Sequence, residues 1–297
     1  MPDPNTSPDP MSAATPDVGR PDVVRPDVER PDVGRPDVER GTGPDMTRWV
    51  AAVRGSHNRF AALVSPLSDD RVTAPSYTGE WSIAQVASHL GSQAEIFGLA
   101  LSAGLAGTPA PGGETFLPIW DRWNALGPGD QVRASLTANE EFVARVEHLT
   151  AAERESFALA MFGTELDLAG MLAMRLGEHA LHTWDVAVAL DPAAVVAPDA
   201  VRLLIDTLPQ TASRAGKPAP GAHPVPIDTV DPDRRFLLTV DPDVTLAPRS
   251  ADGSDALRLP AEAFVRLVYG RLDTDHTPGE EADDARLTVL RAVFPGF

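Results

Sequence analysis

The sequence predicts an α+β protein in which a bundle of four long helices precedes a smaller part that contains strands. Between residues 46 and 190, apolar residues recur with helical spacing in four long segments that loops separate. Asp191 and Pro192 then end the helical pattern. Beyond them, short segments rich in β-branched and aromatic residues alternate with further helical patterns, which indicates a mixed architecture.

The four helices of the bundle are predicted from their apolar stripes and from the residues at their ends. Ser82 can cap the second helix, and Gln85, three residues later, can complete a capping box. Asp167 is the corresponding cap of the fourth helix. The predicted helices cover residues 47–67, 82–104, 130–149 and 167–190, with a Pro/Gly-rich loop at 108–113 and a short extended segment at 157–162.

The chain is predicted to fold into two domains, a helical one at residues 46–192 and a small α+β domain at residues 196–297. Two strands of the second domain are joined by the turn sequence Asp-Pro-Asp. The predicted strands are 236–240 and 244–246, the predicted helices are 197–208, 259–269 and 284–293, and a Pro/Gly-rich stretch covers residues 217–226.

Residues 1–45 have a composition that does not support a folded core. Five copies of Pro-Asp-Val-x-Arg run from Pro16 to Arg40, and a proline at every fifth position interrupts both helices and strand ladders. We therefore expect a disordered or polyproline-like tail. Met46, which opens the first helical pattern, is an alternative translation start.

Composition excludes several classes of function. The formal net charge is −18, of which about −13 belongs to the residues after position 45, so binding to nucleic acid or to anionic lipid is not expected. No apolar run reaches the roughly 18–20 residues that a membrane span needs, and no secretory signal is evident. The absence of cysteine excludes disulfides and cysteine nucleophiles, and it fits a cytoplasmic protein.

The fourth helix carries charged residues within its apolar stripe. At 100° per residue, Glu178, His182 and Asp185 lie on the same side as Met171 and Leu181. Carboxylates are rarely placed in a core without a partner, and a metal ion is one partner that would compensate them. Glu178 and His182 are four residues apart, so both side chains can reach one ion.

Three other residues near this stripe are His89, Arg175 and His179. His89 lies at the edge of the apolar stripe of the second helix, where its side chain can enter a space between helices. Arg175 could orient Glu178 or be solvated, and His179 points about 100° away from Glu178, which favours a structural role.

These residues carry a resemblance to a known family. The motifs around them, Trp81-Ser82 with His89-Leu90 and Glu178-x-x-x-His182-Thr-Trp-Asp185, resemble those of the mycothiol-dependent maleylpyruvate isomerases, which belong to the DinB-like metal-binding four-helix bundles. Near the C-terminus, Tyr269-Gly-Arg271-Leu and Val293-Phe-Pro-Gly resemble that family's sterol-carrier-protein-like domain. The resemblance covers residues 46–297.

The resemblance implies a metal site and a thiol cosubstrate. By their match to the family motifs, His89, Glu178 and His182 would bind a divalent metal, zinc in the family, and mycothiol would supply the thiol that this chain lacks. Asp185 would hold the other nitrogen of His182. Arg271 is the candidate for binding a substrate carboxylate, with a helix-end cation as the alternative; Asp273, Asp275 and Glu280 lie near enough to compete for it.

Three functions remain open at this stage. A thiolate could add to maleylpyruvate and leave again, which gives isomerisation to fumarylpyruvate. It could instead remain on a small electrophile as a conjugate, which is an S-transferase reaction. A DinB-like protein could also keep the metal ligands as a non-catalytic or regulatory module. The second domain with Arg271, which could close over an open metal position, favours an enzyme.

Overall fold

The computed structural model describes residues 46–161, 164–250, 255–279 and 284–296. The predicted tail at residues 1–45 and Glu280 lie outside these ranges. In the described part the fold is α+β, as predicted, with the helices concentrated in the N-terminal half. The helices of that half are α1 (Met46–Val64), α2 (Asp69–Val72), α3 (Ile83–Ala106), α4 (Gly113–Asn124), α5 (Pro128–Glu147), α6 (Ala151–Ser156) and α7 (Leu168–Leu190).

The four predicted long helices are α1, α3, α5 and α7, and they form a bundle. Helices α1 and α3 each pack against both α5 and α7. The ends form as the sequence predicted: Ser82 Oγ accepts from the backbone N–H of Gln85 while Gln85 caps Ser82 in return. Asp167 accepts from the N–H of Gly170 at 2.7 Å. These caps fix where α3 and α7 begin.

Three helices of the N-terminal half, α2, α4 and α6, lie where no helix was predicted from the sequence. Helix α4 buries Phe116, Ile119 and Trp123, which recur at helical spacing and pack against α3. Helix α6 replaces the loop expected after Thr150, which caps it together with Glu153. The extended segment predicted at 157–162 is confirmed as a strand, β1 (Leu159–Met161), paired antiparallel with β2 (Thr164–Leu166).

The C-terminal half contains a four-stranded sheet. The elements of this half are α8 (Pro198–Leu204), a 3-10 turn (Ile205–Thr207), α9 (Leu208–Ala215), β3 (Val225–Val230), β4 (Arg234–Thr239), β5 (Thr245–Pro248), β6 (Leu257–Pro260), α10 (Ala261–Val268) and α11 (Ala285–Val293). The order of the strands in the sheet is β5-β4-β3-β6, and all neighbours are antiparallel except the parallel pair β3 and β6. The predicted strands correspond to β4 and β5, whereas β3 and β6 were not predicted.

The predicted helix at 259–269 was wrong at its start. Leu257 and Leu259 point into the core from β6, and the helix begins only after Pro260, at Ala261. A proline fits the cap of a helix because it needs no hydrogen bond from its own nitrogen there. Among the described residues, none of the helices has the length and apolar character that crossing a bilayer requires.

Helix α7 is covered on one side by the bundle and on the other by the C-terminal half. A single cluster of buried apolar residues runs from α1 and α3 through α7 to the sheet, α10 and α11. Close approach depends on Gly177, because a Cβ atom built there would lie 2.4 Å from the hydroxyl oxygen of Tyr269. The absence of a side chain at position 177 therefore permits Tyr269 to pack directly on α7.

Because of this contact, we predict that the substitution Gly177→Ala destabilises the protein, although glycine to alanine within a helix is usually stabilising. Within a helix, glycine to alanine normally stabilises by about 1 kcal/mol, but overpacking of this kind costs about 1–3 kcal/mol. We expect the melting temperature and the free energy of unfolding to fall. Gly113→Ala, where the new Cβ would meet no atom within 4 Å, is the matched control and should be neutral or slightly stabilising. A Gly177→Ala variant as stable as its parent would contradict this packing.

Candidate metal site at the interface of the two halves

The structure brings His89, Glu178 and His182 together, although His89 lies 89 residues before Glu178. His89 projects from α3, whereas Glu178 and His182 lie one turn apart on α7. The distance from Glu178 Oε2 is 3.2 Å to His89 Nε2 and 3.8 Å to His182 Nε2. All three ligand atoms lie within 4.8 Å of one another. Because metal bonds of about 2.0–2.2 Å hold ligand atoms roughly 3–4 Å apart, this set can hold a metal ion.

Asp185 lies behind His182, at the position that the three-residue spacing predicted. Its side chain has no exposed surface, and Oδ2 is 2.8 Å from Nδ1 of His182. An ionised carboxylate can only accept, so Nδ1–H of His182 is the donor. The lone pair of His182 is then on Nε2, which faces Glu178 and His89. This is the tautomer that a metal ligand needs.

Arg271 is bonded to the carboxylate of Asp185, a contact that the sequence analysis did not predict. Its Nε and Nη2 donate to the two carboxylate oxygens of Asp185 at 2.9 and 3.1 Å, and its Nη1 donates to the carbonyl of Tyr269 at 2.8 Å. A buried carboxylate of the protein thus pairs with the guanidinium of Arg271, and the expected role of Arg271 in binding a substrate carboxylate stays a prediction. Asp273, a competitor expected from the sequence, instead binds His276.

The surroundings set the protonation states of these groups. Burial lowers the pKa of His182 despite its bond to Asp185, which favours the neutral imidazole. Burial alone would raise the pKa of Asp185, but Arg271 and His182 outweigh it and the pKa is lowered. The pKa of Glu178 is likewise lowered, to about 2, because the nearby His89 and His182 outweigh its burial. Neutral imidazoles and ionised carboxylates are the forms that bind metals.

Trp81 forms a wall beside the two histidines. Its ring is nearly parallel to that of His182 at 5.9 Å and lies 5.2 Å from that of His89. Trp81 belongs to the resemblance motif, but the sequence alone does not indicate which residues it contacts. The ring shields the histidines on one side, so the open side of the cluster is the one that faces the cavity.

A cavity of about 400 Å³ lies next to the three ligand residues, between the bundle and the C-terminal half. Most of its wall is aromatic or aliphatic, and polar groups come from Gln93, Thr211, Tyr269, Arg214 and Arg271. Its apolar wall is made by Ile96, Phe97, Phe116, Trp120, Met161 and Met174. The candidate ligands and a cavity with a largely apolar wall therefore lie side by side.

Tyr269 and Arg214 were not identified as cavity residues from the sequence. Tyr269 stands in the resemblance motif, but its position against Gly177 of α7 depends on how the two halves pack. Its pKa is raised to about 12, chiefly by burial, so the phenol is neutral. Arg214 lies in the last turn of α9, and no motif marks it.

Two further residues of α7 are structural. Arg175 is fully buried, donates to the carbonyl of Leu90 at 3.1 Å and to Asn139, and makes no hydrogen bond to Glu178. Burial contradicts the solvated role considered for it from the sequence, and its guanidinium lies 5.8 Å from the ring centroids of both Phe97 and Phe142. His179 is buried and bonds Ser56 Oγ at 2.9 Å, on the side of α7 away from Glu178.

Fold and site together define a helical bundle with a candidate metal site, joined to an α+β part that lines a cavity beside the candidate ligands. The family model of the mycothiol maleylpyruvate isomerase N-terminal domain matches residues 53–187. That range contains His89, Glu178, His182 and Asp185. Residues 53–187 are therefore similar to this domain family.

Solved structures support the same fold beyond that domain. A crystal structure of the mycothiol-dependent maleylpyruvate isomerase aligns with 77% of this chain and 90% of its own chain, with a TM-score of 0.54 and 16% sequence identity. A histidine-to-alanine mutant of that name aligns with the same values. At this identity the likeness establishes the fold. A comparison with the curated proteins gave no match.

If His89, Glu178 and His182 hold one ion, purified protein will contain about one divalent metal per chain, and His182→Ala will lose it. The substitution Asp185→Asn should weaken metal affinity about 10- to 100-fold, because the carboxylate no longer orients the imidazole of His182. Elemental analysis and chelator competition measure both effects. The control is His148→Ala, an exposed histidine of the bundle. Equal metal content in the parent and in a His89/Glu178/His182→Ala triple variant would contradict the site.

Proposed function

We propose that this protein is a metal-dependent enzyme that uses a low-molecular-weight thiol, mycothiol, to attack a small electrophilic substrate. The observation that carries the proposal is the set of His89, Glu178 and His182 beside a cavity with a largely apolar wall. The domain family of residues 53–187 supports the choice of thiol through the activity in its name. In this proposal residues 46–192 are the metal-binding domain, residues 196–297 close the cavity, and the reaction takes place in the cytoplasm.

Zinc is the metal in this proposal, because two imidazoles and a carboxylate are a common catalytic set for it and leave one position open. A divalent ion held there would lower the pKa of a thiol entering the cavity below the usual value of about 8.5. The chain contains no cysteine, so the thiol has to come from a cosubstrate. The thiol proton passes to solvent.

The protein's own groups prepare the cavity for a thiolate. Asp185 keeps the proton of His182 on Nδ1, and Arg271 keeps Asp185 ionised. The neutral Tyr269 can donate a hydrogen bond to an oxygen that becomes negative during the reaction. The apolar wall excludes water, which would otherwise solvate the sulfur and weaken its attack.

Two reactions are compatible with this arrangement. In the isomerase reaction, sulfur forms a C–S bond at the cis double bond of maleylpyruvate, and the π electrons move to the conjugated carbonyl as an enolate. Rotation about the new single bond and elimination then break the C–S bond, return the thiolate and give fumarylpyruvate. In the S-transferase reaction, water protonates the enolate instead and the conjugate is released.

Proton release provides the test of the thiol's role. Mycothiol should bind the metal-loaded protein with release of up to one proton at neutral pH, whereas S-methyl mycothiol, which cannot ionise, should release none. Calorimetry in buffers of different ionisation enthalpy counts the protons. Metal-free protein should bind mycothiol more weakly, and any turnover should require added thiol.

Two outcomes would contradict the proposal in different ways. Equal mycothiol affinity with and without metal would exclude a thiol bound at the metal. Metal-dependent thiol binding without turnover of maleylpyruvate or of a panel of electrophiles would favour the alternative, a DinB-like module that binds ligands without catalysis.

A further inference from the structure

The wall of the cavity constrains the second substrate. Helix α4 contributes Phe116 and Trp120, whose rings lie 5.8 Å apart, and α3 contributes Ile96 and Phe97. Burying a charged or strongly hydrated part of a substrate against such a wall is unfavourable unless each charge gains a partner. A wall of aromatic rings instead stabilises a planar or aliphatic body of similar size. The cavity therefore fits an apolar substrate body.

The basic groups of the cavity differ in their availability. Both oxygens of Asp185 are bonded by Arg271, and Arg271 could leave them only by exposing a buried carboxylate to an apolar environment. Arg214 has no ion-pair partner among the residues that the structure describes, and its side chain is exposed. It lines both the 400 Å³ cavity and an adjoining cleft of about 700 Å³. One available cation thus lies where the cavity opens into the cleft.

Maleylpyruvate matches this arrangement poorly. It carries two carboxylates and almost no apolar surface. In the proposed function the thiol takes the open position of the metal, so the side chains of the cavity offer one further cation, Arg214, and a wall of rings. The second carboxylate would be desolvated without compensation. Chemical complementarity favours a substrate with a larger apolar part and a single negative charge.

We propose that the second substrate is an electrophile with an apolar body and one anionic group, and that Arg214 is the residue that selects the anion. This inference rests on the proposed function and narrows it to conjugation. For an enone of this class, the thiolate sulfur bonds to the β-carbon, the π electrons move to the carbonyl oxygen, and water protonates the enolate. The product is a thioether, and no reactant beyond the thiol and water is needed.

The test uses 3-benzoylacrylate, an enone with a phenyl ring at one end and a carboxylate at the other. Its methyl ester removes the charge and keeps the body, and maleylpyruvate adds a carboxylate and removes the ring. With mycothiol and metal-loaded protein, and after subtraction of the uncatalysed rate, kcat/KM should be higher for 3-benzoylacrylate than for either comparator. Arg214→Met should lower that kcat/KM about tenfold or more and leave the ester unaffected.

The control is Arg258→Met, which replaces another exposed arginine that has no ion pair among the described residues and does not line the cavity. It should leave both substrates unchanged. The saturated analogue 3-benzoylpropionate, which cannot react, provides a measurement without turnover. Calorimetry should show that it binds the parent and the Arg258→Met protein equally and binds Arg214→Met about tenfold more weakly.

The outcomes separate this inference from the function on which it rests. Thiol-dependent turnover that favours maleylpyruvate, or that is insensitive to Arg214→Met, would overturn the inference and keep the proposed function. Analogue binding that is lost in His182→Ala but unchanged in Arg214→Met would place the carboxylate at the metal ligands and overturn the role of Arg214. Arg214-dependent analogue binding without turnover of any electrophile would support the binding site and overturn the proposed function.

Discussion

The buried carboxylate of Asp185 is the constraint on which the rest of the site depends. Both of its oxygens are used, one by His182 of the same helix and both by Arg271 from the C-terminal half. A carboxylate without exposed surface is stable only with such partners, and removing one partner of a buried pair typically costs about 3–5 kcal/mol. The contact therefore joins the orientation of a candidate metal ligand to the docking of the two halves.

That docking also creates the cavity, so the same packing determines ligand geometry and substrate space. Gly177 lets Tyr269 approach α7. The chain then turns at Gly270, and this turn brings the guanidinium of Arg271 to the carboxylate of Asp185. The turn requires Gly270, whose φ of 70° is in the left-handed region and whose Cβ, if present, would lie 2.2 Å from the nitrogen of Gly296. A bundle without its C-terminal half would keep His89, Glu178 and His182 but would lose the partner of Asp185 and one wall of the cavity.

The bundle could be predicted from the sequence because its long amphipathic helices and their caps are local signals. Helix α4 could not be predicted in this way, because Gly113 and Pro118 have low helix propensity and the helix is short. It is stabilised by its packing on α3. Strand β3 could not be predicted because Pro224 and Pro226 argue against a strand at that position. The boundary between β6 and α10 was missed because β6 has only four residues. The ligand residues followed from spacing and resemblance, whereas the pairing of Asp185 with Arg271, 86 residues apart, depends on tertiary packing that no local pattern encodes.

The most direct measurement of this coupling is a double-mutant cycle on metal affinity, with Asp185→Asn, Arg271→Met and the double variant titrated against a competing chelator. If Arg271 acts on the metal ligands through Asp185, Arg271→Met alone will weaken metal binding by about tenfold or more, and it will have little further effect in the Asp185→Asn background. An effect of Arg271→Met that is equally large in both backgrounds, or metal affinity that neither substitution changes, would contradict the account.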